Sequence, residues 1–295
     1  MCSGRVSISM LGASHTMVLM KILELAGRGN ERVLTAGESA TVFGNLLPDS
    51  LPLVGISPEV SHDIGRADKL AGVQSALGTG VKIHIYADNL THCNNVIDDG
   101  NYGASVALKL GFALMKETDN KFSELIKRFS PRSVAYTLHT IIELAADVLA
   151  ANDKLIVAVI ERAWADAAEN YEKVVKVLNK IYEADIENMS EGNRKFLSQK
   201  RPSHEEIYSR GARAEMFMRK FAPKEYEDDR RAEDRRAVMD LIEAGENMLR
   251  DKLSALAGDF AFRIMDFVPE LKGRIDGIAR SGKFLSENGE GSERN

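Results

Sequence analysis

Cysteine is scarce in this chain: Cys2 and Cys93 are the only two among 295 residues. Two thiols cannot build the framework of a secreted disulfide scaffold, and theirs is not a zinc-ribbon spacing. A large excess of charge is also missing. The 39 basic and 44 acidic residues leave a formal net charge of -5. That excludes a strongly basic nucleic-acid coat, and no stable nucleic-acid complex is expected. No apolar run approaches the roughly 18–20 residues that span a bilayer, so no transmembrane segment is expected. His15 and Lys21 interrupt the apolar stretch that ends at Ala26, which argues against a secretory leader. Neither a glycine-rich phosphate loop nor a nucleophile elbow occurs. The expectation is a cytoplasmic protein, long enough to bury a substantial core.

What is present is unevenly spread. Residues 1–150 carry 13 Lys/Arg and 15 Asp/Glu, whereas residues 151–295 carry 26 and 29. Histidine runs the other way: His15, His62, His84, His92 and His139 lie in the first half, and only His204 follows. The first half reads as a site with functional loops and the second as solvated helices. Periodicity gives a mainly helical chain. Met17–Ala26 is apolar around most of its circumference and reads as a buried helix ending at Gly27. Pro48, Pro52 and Pro58 predict an ordered or extended loop over 46–62. Helices follow over 104–116 and 120–129, from Ser130-Pro131 to about Leu149, over 153–187, and beyond Pro202 over 205–221 and 226–267. The last residues, 282–295, are too polar to pack and read as a loose tail. Val81–Ala87 (VKIHIYA) alternates β-branched residues and taken alone favours a strand.

Two pairs carry chemistry. His84 and Asp88 are four apart, as are His139 and Glu143. On a helix each pair shares one face and can grip one metal ion. His92 extends the first pair into a stripe. Histidine nitrogen with carboxylate oxygen is the set zinc takes when cysteine is absent. The other reading of either pair is a core histidine hydrogen-bonded to its carboxylate. His139 and Glu143 sit in the apolar run SVAYTLHTIIELAADVLA, where an ionisable pair is costly unless compensated, and a metal compensates it.

In order, the chain offers GASHTMVLMKILE, GNLLPDS, VSHD, HIYADNLTH and LHTIIELAAD. Over residues 12–147 this resembles the zinc-dependent phospholipase C family, which includes the single-strand-specific zinc nucleases. The resemblance implies an all-α multi-helix bundle with a multinuclear zinc site in a central cleft, and a helix over 70–95 despite its β-like middle. It implies that Asp49, His62, His84 and Asp88 hold one zinc, and that His92, His139 and Glu143 hold a second. Asp88 would bridge to a third, held also by His15 and by the amino terminus, where Met1 or Cys2 stands in this chain. Two or three zinc ions per chain are therefore expected.

Closely spaced divalent ions make hydroxide from water near neutral pH and neutralise a phosphate's developing charge. The expected activity is hydrolysis of a phosphate ester, either phospholipid or nucleotide. Asp49 is the candidate catalytic residue, positioning or deprotonating the attacking water. Asp63, next to His62, is a candidate to orient a neighbouring group. Residues 1–200 form the expected catalytic domain, 201–281 a charged helical extension that could mediate homo-oligomer contacts, and 282–295 the tail. The competing reading is a non-catalytic helical protein with a structural metal site and a partner-binding, charged C-terminal region.

Overall fold

A computed structural model describes residues 12–28, 34–54, 56–63, 65, 76–92, 106–119, 121–129, 134–182, 207–221 and 228–281. Among them every regular element is helical and there is no strand. The protein is all-α. The first helices are α1 (Ala13–Leu25), α2 (Ala36–Ser50), a 3-10 turn (Leu51–Val54) and α3 (Pro58–Ser61). Next come α4 (Ala76–His92), α5 (Val106–Glu117), α6 (Ser123–Phe129) and α7 (Val134–Ala151). Then follow α8 (Lys154–Glu169), α9 (Tyr171–Tyr182), α10 (Arg210–Phe221), α11 (Asp228–Leu249), α12 (Leu253–Phe267) and α13 (Glu270–Ser281).

Local chemistry sets the ends of the first two helices. Gly27 takes φ +86°, and the Arg28 amide donates to the Leu23 carbonyl, which closes α1 as a Schellman motif. Thr35 and Glu38 form a reciprocal capping box at the start of α2. Glu38 also accepts from Arg28 Nε at 3.0 Å, tying the end of one helix to the beginning of the next.

The prolines do not make 46–62 a loop. Helix α2 continues through Pro48 to Ser50, then tightens into the 3-10 turn and the short α3. Near the end of a helix, Pro48 removes one internal hydrogen bond, and the neighbouring Asn45 carbonyl accepts from His84 Nδ1 on another helix. The ambiguous segment 81–87 is helical within α4. Its glycine has a packing reason: a Cβ at Gly80 would run into the Thr41 carbonyl, and one at Gly44 into the Leu77 carbonyl. Helices α2 and α4 thus pack backbone against backbone, and tertiary contact overrides the β propensity of VKIHIYA.

Two apolar cores result. One joins α1, α2, α4, α8, α9, α12 and α13, with Leu19, Ile22, Leu47, Leu77 and Ile85 fully buried. The other joins α5, α6, α7, α10 and α11 around Ile141, Phe217, Leu241 and Ile242. Helices after residue 200 enter both: α11 packs along α7 and α12 along α1. Helix α7 has the length and a mean hydropathy of 1.4 that a membrane span would have, but 67% of it is buried inside the protein.

The candidate metal centre

The α2–α4 seam is where the site forms. His84, fully buried on α4, presents Nδ1 to the Asn45 carbonyl of α2 at 2.7 Å. A carbonyl only accepts, so Nδ1 carries the proton and the Nε2 lone pair is free. Around that nitrogen lie His62 Nε2 at 3.3 Å and Asp49 Oδ1 at 3.9 Å. His62 Nε2 is also 3.2 Å from Asp49 Oδ1. Four-coordinate zinc with bonds of about 2.0–2.1 Å keeps its ligand atoms about 3.3 Å apart. Two of the three spacings meet that figure.

Two further groups complete the cluster. The His15 ring stacks on His84 with centroids 4.1 Å apart and planes 17° from parallel. His15, Asp49 and His84 converge with ligand atoms within 4.8 Å of one another, and so do His62, His84 and Asp88. His84 is thus common to both groups. Ser61 Oγ lies 2.8 Å from His62 Nδ1. Metal on Nε2 would leave the proton on Nδ1, where the hydroxyl accepts it.

Burial explains why this cluster suits an ion. Desolvation, then the neighbouring His15, pushes the His84 pKa down to about 3, so its imidazole is neutral at physiological pH. Neutral imidazole is the ligating form. Asp49 Oδ2, His15 Nδ1 and both amide atoms of Asn45 are buried without a hydrogen-bond partner among the described residues. Buried polar atoms seldom stay unsatisfied, and a cation answers the first two directly. The residues fit a metal ion.

The second pair sits differently. His139 Nε2 lies 3.4 Å from Glu143 Oε2 on α7, and the His139 ring meets the edge of Tyr136. Among the described residues neither joins the converging groups. The His92 side chain lies outside the described residues, as do Cys2, Cys93, His204 and the 282–295 tail. Asp63 is exposed and accepts the Gly65 amide at 2.9 Å.

The chain matches no family model, no curated protein and no solved structure.

One supporting element escaped the sequence reading. Asp147 on α7 accepts both the Ser14 amide, at 2.9 Å, and the Ser14 hydroxyl, at 2.8 Å. Its other oxygen accepts from Arg213 at 2.7 Å, and both side chains are fully buried. The Arg213 guanidinium lies over the Tyr208 ring, 4.7 Å from its centroid. Burial pushes the Asp147 carboxyl above its ordinary range, and Arg213 opposes that rise. This ion pair anchors the first turn of α1, immediately beside His15. The signal was an acid four residues after Glu143 in an otherwise apolar helix.

Proposed function

We propose that this protein is a zinc-dependent hydrolase of phosphate esters, using the cluster between α2 and α4. The observation that carries the reading is the convergence of Asp49, His62 and His84 at 3.2–3.9 Å around a histidine whose tautomer is fixed from behind. The resemblance to the zinc-dependent phospholipase C family supports it, because the family's first-zinc positions correspond to Asp49, His62, His84 and Asp88. In that pattern His15 belongs to a further ion, and His92, His139 and Glu143 to another, giving two or three zinc ions per chain.

The chemistry such an ion supplies is charge neutralisation on a phosphoryl oxygen and a lowered pKa for a water. The chain's own residues supply the rest. Asp49 Oδ2, with no other hydrogen-bond partner among the described residues, accepts a proton from the attacking water. His62, 20% exposed in its side chain, and the half-buried Asp88 are the members of the cluster nearest solvent, and of the two the imidazole is the one an entering phosphate can approach without charge repulsion. Asn45 and Ser61 hold the two imidazoles in orientation through their far nitrogens.

A second reading has its own observation. Asp49 and His84 are 5% and 0% exposed, as in a structural metal site. The experiment that separates the two is hydrolysis of a generic phosphomonoester and phosphodiester by zinc-loaded protein, with and without chelator. Asp49→Asn is expected to lower the rate by about 10²–10⁴-fold. Because Asp49 is buried on α2 and proposed as a ligand, zinc content is measured beside the rate, so that loss of the base is told from loss of the ion. Zinc binding without hydrolysis of lipid, nucleotide or synthetic ester would leave the structural reading.

A further inference from the structure

His15 is the third residue of α1 and so sits in its first turn, where the amides have no partner within the helix. A serine or aspartate before the turn commonly accepts from them, but Gly12 stands there and supplies no side-chain cap. Packing explains the glycine. A Cβ at position 12 would fall 2.6 Å from Leu46 Cδ2 and 3.1 Å from the Tyr208 hydroxyl, which leaves little room for a residue that caps its own helix. The missing acceptor comes from α7. One oxygen of Asp147, 133 residues away in sequence, takes the Ser14 amide at 2.9 Å and the Ser14 hydroxyl at 2.8 Å. Its negative charge lies at the positive end of the α1 dipole. Arg213 on α10 makes that charge tolerable, since the two side chains are fully buried and 2.7 Å apart.

We propose that Asp147 and Arg213 are positioning residues of the metal centre: they cap α1 from outside and so fix His15 against His84, which gives α10 a part in building the centre. The assignment rests on the reading of the cluster as a metal centre and adds to it. Neither residue belongs to the groups whose ligand atoms converge. His15 does, with Asp49 and His84, and its ring stacks on His84 with centroids 4.1 Å apart. A ligand in a first turn is only as well placed as that turn, and helix ends fray. His84 and His62 are held from elsewhere, by the Asn45 carbonyl and the Ser61 hydroxyl, so loss of the cap displaces one ligand and leaves these two. The pair is neutral as a unit and orients His15 without adding net charge beside the ion. A catalytic domain ending at residue 200 would lack Arg213 and leave Asp147 buried without its countercharge.

The test is the zinc affinity of the full chain, read by competition with a chromophoric chelator, beside the metal-free melting temperature. Asp147→Leu/Arg213→Met removes the cap and leaves no charge unpaired. It is expected to weaken zinc binding about 10–100-fold while much of the stability is kept. The same double change made in His15→Ala is expected to weaken binding no further, because its effect passes through His15. Ser14→Ala removes only the hydroxyl bond and improves helix propensity, yet is expected to weaken binding several-fold. Arg128→Met is the control. It strips the partner, 2.6 Å away, from the buried Asp234 between α6 and α11, and is expected to lower the melting temperature at unchanged zinc affinity. Wild-type affinity in the double variant, or a further loss in the His15→Ala background, overturns the proposal and leaves the metal reading standing. Should the double variant not fold, wild-type affinity in Ser14→Ala overturns it instead. A wild-type protein that binds no zinc overturns the metal reading and this assignment with it.

Discussion

His84 and Asp88 on α4 repeat the spacing of His139 and Glu143 on α7, yet their surroundings differ. Both helices are approached closely by a neighbour with a glycine at the contact: α2 against α4, and α5 against α7, where a Cβ at Gly111 would fall 2.8 Å from Leu138 Cβ. What the neighbour brings decides the outcome. Helix α2 delivers Asp49 and the Asn45 carbonyl to His84, and the turn after α3 delivers His62. Helix α5 packs Leu114 and Ala107 into the core it shares with α7. A helical spacing creates a pair, and the partner helix turns it into a centre. The two regions meet at Asp147, which sits on α7 and holds the turn that carries His15.

Cutting that link is expected to have the largest effect. Arg213→Met leaves the fully buried Asp147 without its countercharge, and such a change costs about 3–5 kcal/mol. Urea denaturation measures it. The double variant Arg213→Met/Asp147→Leu is expected to recover much of the loss, because no unpaired charge remains. A loss below about 1 kcal/mol in the single variant would mean the pair does not anchor α1.

The ease with which each part was read follows the range of the interactions. The all-α class, the closure of α1 at Gly27 and the start of α8 at Asp153 rest on local chemistry that a sequence displays. Three prolines make the chain from 46 to 62 look like a loop, whereas the helix runs through Pro48 and His84 takes the neighbouring Asn45 carbonyl. That donor lies 39 residues away. Arg213 was hidden for a related reason. It sits among charged residues that read as a solvated face, and only packing against Asp147, 66 residues earlier, marks it as core. The convergence of Asp49, His62 and His84 joins three separate stretches of chain, which periodicity along any one helix does not display.

Next in size is the expected effect on binding of the proposed zinc. His84→Ala removes the ligand common to both converging groups and is expected to weaken zinc binding by at least about 100-fold, above the range for loss of a supporting hydrogen bond. His139→Ala is expected to leave the ion at the α2–α4 seam in place, lowering zinc content by at most one ion per chain. Elemental analysis of purified variants decides between them. Equal and complete loss in both would mean that the two regions form one cooperative centre.

The seam also predicts a pH dependence. The His84 pKa is about 3 in the folded protein, against an ordinary value near 6.5. Between those values the unfolded chain binds a proton that the folded chain refuses, so stability falls as pH drops from about 6.5 toward 3. This one group contributes a slope of about 1 kcal/mol per pH unit in metal-free protein. Urea midpoints of metal-free wild type and His84→Gln at several pH values test it. An unchanged slope in the variant would assign the acid sensitivity to other groups.

The smallest expected effect is a gain, and it isolates the role of close approach. Gly80 and Gly258 both lie inside helices, and neither has a positive φ. Alanine is a better helix former than glycine by about 1 kcal/mol at an unhindered position. At Gly258 a Cβ meets nothing within 4 Å, so Gly258→Ala is expected to stabilise by about 0.5–1 kcal/mol. At Gly80 the same atom collides with the Thr41 carbonyl, and α4 must move away from α2 to admit it. That movement lengthens the contact between His84 Nδ1 and the Asn45 carbonyl, so Gly80→Ala is expected to lower stability and zinc affinity together. Thermal melts with and without zinc read both variants. A stabilised Gly80→Ala with normal zinc binding would mean that the seam yields easily and that the ligands do not depend on the close packing of α2 on α4.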